Sequence, residues 1–129
     1  MKVIIAGSRD ITNYDIVLQA VKKSLFKITE VVSGGAQGVD KLGEKLSKQR
    51  SLSLRIFEAD WEDISSPEAS VRVRKDGSKY NVLAGFWRNE EMAEYADGLI
   101  AVWKDKSRGT GHMIKTMAEL GKPVFVYEV

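Results

Sequence analysis

The chain has 129 residues, 43% hydrophobic and 29% charged, with 20 Lys and Arg against 18 Asp and Glu. That length suits a single domain over 1–129, and the composition excludes an intrinsically disordered chain. A net charge of +2 disfavours a non-specific nucleic-acid binder, and the absence of cysteine excludes disulfides and thiolate metal sites.

Val3 to Ala6 is a continuous apolar run closed by Gly7-Ser8-Arg9-Asp10, the pattern of a buried parallel strand. The run is too short for a signal peptide or a membrane span, so the expectation is a cytoplasmic protein with no membrane partner. Thr12 or Asn13 caps a helix with apolar positions at Ile16, Val17, Ala20, Val21 and Leu25. A second strand ends at Ser33, and its helix carries Val39, Leu42 and Leu46 inward with Lys41, Lys45 and Lys48 outward. Leu52 to Phe57 alternates apolar and polar residues and makes a third strand.

The stretch from about 62 to 80 breaks this rhythm. Val71 to Tyr80 holds Asp76-Gly77 between alternating residues, which predicts a β-hairpin closed by a type I′ turn. Its basic residues Arg72, Arg74, Lys75 and Lys79 suit either a polyanion clamp or an ordinary solvated flap. A helix from Leu83 to Tyr95 follows, with apolar residues suited to self-association, and then a fourth strand from Leu99 to Trp103. Ser107-Arg108-Gly109-Thr110-Gly111 opens a last helix through Met113, Met117 and Leu120, stopped by Gly121. Val124 to Tyr127 is the fifth strand. Strands alternating with helices imply a parallel α/β sheet with right-handed crossovers and helices on both faces.

In such sheets ligands bind beyond the carboxyl ends of the strands. The first loop there is Gly7-Ser8-Arg9. After the second strand comes Ser33-Gly34-Gly35-Ala36-Gln37-Gly38-Val39-Asp40, after the third Asp60-Trp61, and after the fourth Ser107 to Gly111. Glycines let backbone N–H groups approach an anion, and each helix start adds its dipole. Arg9, Arg88 and Arg108 are candidates for bidentate phosphate contacts. Neither loop is G-x-G-x-x-G or a P-loop, which disfavours a dinucleotide dehydrogenase or an NTPase. His112 is the only histidine, so no multi-histidine metal site exists and no metal or cofactor is expected. It suits acid–base work or a plain helix-start position. Trp61, Trp87 and Trp103 are available for base stacking, with core or subunit contact the simpler role for Trp87 and Trp103.

The ordered set Ala6-Gly7-Ser8-Arg9, Ser33 to Asp40, Ala59-Asp60-Trp61, Ala84-Gly85-Phe86-Trp87-Arg88-Asn89 and Ser107-Arg108-Gly109-Thr110 resembles the YspA-type, YpsA-related branch of the SLOG superfamily. That superfamily also includes the DNA-processing protein A family and the LOG nucleotide hydrolases. The resemblance implies a Rossmann-like three-layer sandwich with a five-stranded, mainly parallel sheet, to which the residue pattern adds a basic hairpin inserted after the third strand. It also implies a nucleotide-derived phosphorylated ligand, such as an ADP-ribose-type or cyclic nucleotide signal, and a homo-oligomer.

LOG enzymes cleave the N-glycosidic bond of nucleoside monophosphates. Their Arg-Lys pair aligns with Arg88-Asn89, and their P-G-G-x-G-T-x-x-E loop with the stretch that ends at Met113, Gly109 and Thr110 matching its G-T. The catalytic glutamate position is Met113, which can neither stabilise an oxocarbenium ion nor move a proton. The resemblance therefore favours binding over turnover. A hydrolase of this type would need Asp40, Asp60 or His112, with Arg88, in catalytic roles.

Overall fold

The structure, a computed structural model, describes residues 1–129. Its elements run β1 (Lys2–Gly7), α1 (Tyr14–Ser24), β2 (Glu30–Ser33), α2 (Val39–Gln49), β3 (Ser53–Ile56), β4 (Val71–Val73), β5 (Lys79–Asn81), α3 (Ala84–Tyr95), β6 (Gly98–Trp103), α4 (Arg108–Glu119) and β7 (Val124–Glu128). Five strands form one parallel sheet in the order β3-β2-β1-β6-β7. The chain steps outward from β1 to β3, then crosses back to β6 on the other side of β1. Strand order thus reverses between β1 and β6, where a crevice opens at the carboxyl edge.

Strand alternation divides the core into two layers. Val3, Ile5, Val31, Ile100 and Val102 point to one face, under Val17, Ala20 and Val21 of α1 and Val39 and Leu46 of α2. Ile4, Ala6, Val32, Leu99 and Ala101 point to the other, under Met92 and Ala93 of α3 and Met113 and Met117 of α4. The result is the expected three-layer Rossmann-like sandwich.

Local chemistry sets the ends of the helices. Asn13 caps α1, its Oδ1 accepting from the Asp15 N–H at 3.0 Å. At the C-terminus of α4, Gly121 adopts φ +70°, with Gly121 N–H on Ala118 O at 3.0 Å and Lys122 N–H on Met117 O at 3.1 Å. That pair of bonds is a Schellman motif. Lys122 then reaches across to α3, where its Nζ donates to the Ala93, Glu94 and Ala96 carbonyls at 2.7, 2.9 and 2.7 Å.

Four local expectations are corrected. Leu25 is not an apolar contact of α1: it is the C-cap at φ 61° and 85% exposed. Ser24 ends the helix one residue earlier, its hydroxyl donating to Val21 O at 2.7 Å and accepting from Phe26 N–H at 3.2 Å. Strand β3 does not alternate in burial. It is the sheet edge, α2 packs mainly on β1 and β2, and Leu54 and Ile56 stay exposed.

The hairpin β4–β5 forms as expected, but its turn is not type I′, which requires positive φ at both central residues. Only Gly77 has positive φ, at 90°. Gly77 N–H bonds to Arg74 O at 3.0 Å and Arg74 N–H to Ser78 O at 2.8 Å, giving a three-residue loop that ends in a glycine bulge. Asp76 supports it by accepting from both the N–H and the hydroxyl of Ser78, at 2.9 and 2.7 Å. Finally, Arg108 to Gly111 are not loop residues but the first turn of α4.

Candidate functional site

Two glycines allow the three loops at the carboxyl edge to meet. Gly7 pairs with Val102 across β1 and β6, and a Cβ there would sit 2.1 Å from the Val102 carbonyl oxygen. Gly38, at φ +77°, is the N-cap of α2, and its Cβ would lie 2.4 Å from Ser8 O and 2.5 Å from Arg9 O. No side chain larger than hydrogen fits either place. Ser8 then ties the loops together. Its carbonyl accepts from Val39 N–H at 3.4 Å, and its hydroxyl accepts from Lys104 N–H at 3.0 Å. The same hydroxyl lies 3.5 Å from Ser107 Oγ.

The crevice so formed is a cleft of about 430 Å³. Ala6, Met92 and Met113 make its apolar floor. Gly7, Ser8, Arg9 and Asp10 come from the loop after β1, Ala36 and Asp40 from the loop into α2, and Arg88 and Asn89 from α3. Lys104, Asp105, Ser107, Gly109 and Thr110 complete the wall after β6. The N-caps of α2 and α4, Gly38 and Ser107, give their helices no side-chain cap bond. Ser107, Gly109 and Thr110 put the positive end of α4 at the cleft without a side-chain cap, whereas the Val39 N–H of α2 is already taken by Ser8 O. Ser107 Oγ instead donates to Thr110 Oγ1 at 3.1 Å.

Six charged side chains line the cleft, Arg9, Arg88 and Lys104 against Asp10, Asp40 and Asp105, and of these only Asp40 is buried. Arg88 is half-buried; its Nη1 donates to Gly34 O at 2.8 Å and its Nε to Asn89 Oδ1 at 3.4 Å, while Nη2 has no protein acceptor. Burial lowers its pKa from the ordinary arginine value, the Asp40 charge opposes that, and the nearby Arg9 charge adds to it. Asp40 is 6% exposed. Burial pushes its carboxyl up to about 6, against the Ala36 N–H that it accepts at 3.2 Å and the Arg88 charge, while Glu44 adds to the rise. Arg9 is exposed at the rim. The Arg88 guanidinium thus lies beside a carboxyl that is expensive to ionise, with its Nη2 open to a further acceptor.

Of the residues picked out in the sequence, Gly7, Ser8, Arg9, Ala36, Asp40, Arg88, Asn89, Ser107, Gly109 and Thr110 line this cleft. Ser33, Gly34, Gly35, Gly38 and Val39 do not; they build the loop behind it. Ser33 is fully buried, its hydroxyl donating to Glu44 Oε2 at 2.7 Å and accepting from Gly35 N–H at 3.1 Å. Arg108 is exposed and Gly111 packs near Trp103, both outside the cleft.

Asp60 is exposed and is also outside the cleft. Its neighbour Trp61 lies against Gly85 at the start of α3 and accepts the Asn81 N–H at 2.7 Å. Trp103 is an anchor, its indole N–H donating to Ser107 O at 3.0 Å. His112 faces a separate groove with Glu90, Glu94, Lys115 and Glu119. It is joined to the cleft wall through Asn89, with Asn89 Nδ2 3.2 Å from His112 Nδ1.

Asp10, Lys104 and Asp105 were missed. Lys104 pairs with Asp10 at 3.0 Å across the rim, a contact between residues 94 apart with no local signature. Asp105 and Lys106 adopt φ 52° and 51°, a left-handed pair that nothing in their residue types announces. Met113, at the position aligned with the LOG glutamate, is 1% exposed in the cleft floor. No group of His, Asp or Glu in the structure has the arrangement of a metal site, and no helix is long and apolar enough to cross a membrane.

Residues 1–63 match the family described as "YspA, cpYpsA-related SLOG family". Among solved structures, DNA processing protein A from Streptococcus pneumoniae aligns over 97% of this chain and 49% of its own, with TM-score 0.70 and 21% identity. The chain therefore spans about half the length of that relative. The protein TM1055 aligns over 96% of this chain and 72% of its own, with TM-score 0.57 and 22% identity. At those identities the two structures establish the fold. No curated protein sequence matches the chain.

Proposed function

We propose that the chain, whose residues 1–63 match a SLOG family, is a member of that superfamily and binds a nucleotide or nucleotide-derived phosphorylated ligand in the cleft between β1 and β6, for sensing or sequestration. The observation that carries the reading is the placement of Arg9, Arg88 and the first turn of α4 (Ser107, Gly109 and Thr110), which has no side-chain cap, around one cavity. A phosphate would take the free Arg88 Nη2 and the first-turn N–H groups of α4. A volume of about 430 Å³ falls within the range of small-molecule pockets. The apolar floor of Ala6, Met92 and Met113 would take the less polar part of such a ligand.

The test is a thermal-shift and native mass spectrometry screen with nucleoside monophosphates, ADP-ribose and cyclic nucleotides. A ligand at about one hundred times its Kd stabilises the folded state by about 2.7 kcal/mol, which is easily read. No shift with any of them at millimolar concentration would overturn the reading.

One observation favours a second reading, an N-glycoside hydrolase: Asp40 is a cleft carboxyl with its pKa raised to about 6, as a general acid requires. In that case Asp40 would protonate the departing base with Arg88 holding the phosphate, while Asp60 and His112 would have no access. Chromatography for free base released from nucleoside monophosphates, with Asp40→Asn as control, decides it. Nucleic-acid binding, suggested by the likeness to DNA processing protein A, would rest on Arg72, Arg74, Lys75 and Lys79 of the hairpin. It predicts an affinity that falls steeply with salt. Self-association through the α3 face is a further proposal, checked by sedimentation.

A further inference from the structure

Asn89 occupies a position in which both polar atoms of its amide have complementary neighbours, two on Nδ2 and one on Oδ1. Its Nδ2 donates to Gly109 O at 3.3 Å and approaches His112 Nδ1 at 3.2 Å, while its Oδ1 accepts from Arg88 Nε at 3.4 Å. Exchanging O and N would set Oδ1 against the Gly109 carbonyl and an NH₂ against the Arg88 N–H. Only the observed orientation satisfies the group, which is 5% exposed. His112 must then accept at Nδ1, so its imidazole is neutral with the proton on Nε2. An imidazolium would point N–H at N–H and lose the contact.

We infer that His112 is a positioning residue for the anion cleft: from outside it, the neutral imidazole holds the Asn89 amide, which in turn aims Arg88 and ties the first turn of α4 to α3. This rests on the anion-binding reading of the cleft. Phe86 backs the imidazole, with ring centroids 4.4 Å apart and planes at 41°. The charged groups around it are Glu90 and Glu94 from α3 and Lys115 and Glu119 from α4. Burial is the largest influence on the ring and lowers its pKa from the ordinary histidine value; Glu90 and Glu119 oppose that, and Lys115 adds to it. The neutral form is therefore the resting form near neutrality, and the ligand-competent geometry belongs to it. Protonating His112 releases Asn89, and ligand binding must in turn make His112 harder to protonate.

As the only histidine, His112 gives an unambiguous ring C–H signal. The experiment is an NMR pH titration of the full chain between about pH 5 and 8, with and without saturating ADP-ribose, whose pyrophosphate does not titrate in that range. The Asn89 side-chain amide is followed in the same spectra. The expected result is that the Asn89 amide shifts with the His112 titration and that ADP-ribose lowers the His112 midpoint. His112→Phe, which keeps an aromatic ring without an acceptor, should weaken ADP-ribose binding by about fivefold near neutrality, the loss expected for one hydrogen bond. His112→Gln, whose carbonyl can accept without titrating, should recover most of that loss and leave only the pH dependence that Asp40 supplies.

Binding of ADP-ribose with an unmoved His112 midpoint would overturn the inference and leave the cleft reading intact. So would an Asn89 amide blind to the titration. Absence of binding by every nucleotide tested would overturn the cleft reading and this role with it.

Discussion

Asp40→Asn should change how stability depends on pH, by an amount set by the burial of one carboxyl. The folded-state pKa is about 6 against an ordinary 3.8. Between those values the folded chain binds a proton that the unfolded chain has lost, so stability falls as pH rises from about 4 through about 6 and levels off above. A displacement of about two pKa units corresponds to about 3 kcal/mol. Asparagine keeps an oxygen for the Ala36 N–H but has nothing to ionise. Urea unfolding of both proteins, read by tryptophan fluorescence between about pH 3.5 and 7.5, should show the variant gaining about 3 kcal/mol relative to the parent across that range. Other groups titrate in both proteins and cancel. A difference between the two that stays constant with pH would refute the claim that Asp40 is ionised at a cost.

Gly7→Ala should destabilise by about 3 kcal/mol or more or prevent folding, because the new methyl would sit 2.1 Å from Val102 O; chemical denaturation checks it, and a loss under about 1 kcal/mol would contradict the close approach. Lys122→Met should cost about 1–3 kcal/mol, since it strips three carbonyls at the end of α3 of their donor, and hydrogen exchange should report fraying of that helix end. Arg88→Ala should weaken any phosphorylated ligand by tenfold or more, measured by calorimetry, whereas Arg108→Ala, outside the cleft, should leave affinity within about twofold.

The layer architecture was readable because strand and helix periodicities are local properties. Val3 to Ala6 and Leu99 to Trp103 advertise buried strands, and the crossovers that join them have one favoured hand. What escaped depends on distance in the chain. Strand β3 looked half-buried because its alternation is real, but only its edge position decides what covers it. Ser107 to Gly111 read as a loop because two glycines disfavour helix, yet the N–H of Gly111 bonds Ser107 O at 3.0 Å and the helix has begun. Asp76-Gly77 does not fix the hairpin turn, because Asp-Gly serves a type I turn with a glycine bulge as well as type I′.

At the cleft, the residues nearest the motifs were found and their division of labour was not. Ser33, Gly38 and Val39 are scaffold, whereas Asp40 two residues beyond Gly38 lines the cavity. Lys104 and Asp10 carried no signal because their ion pair exists only once β1 and β6 lie side by side.

The central claim, that this cleft binds a phosphorylated nucleotide derivative, is tested most directly by titrating ADP-ribose and nucleoside monophosphates into the parent and the Arg88→Ala variant by calorimetry. The account predicts saturable binding of at least one of them to the parent, weakened tenfold or more in the variant. Binding that is equal in the two proteins, or absent from the parent at millimolar ligand, would contradict it.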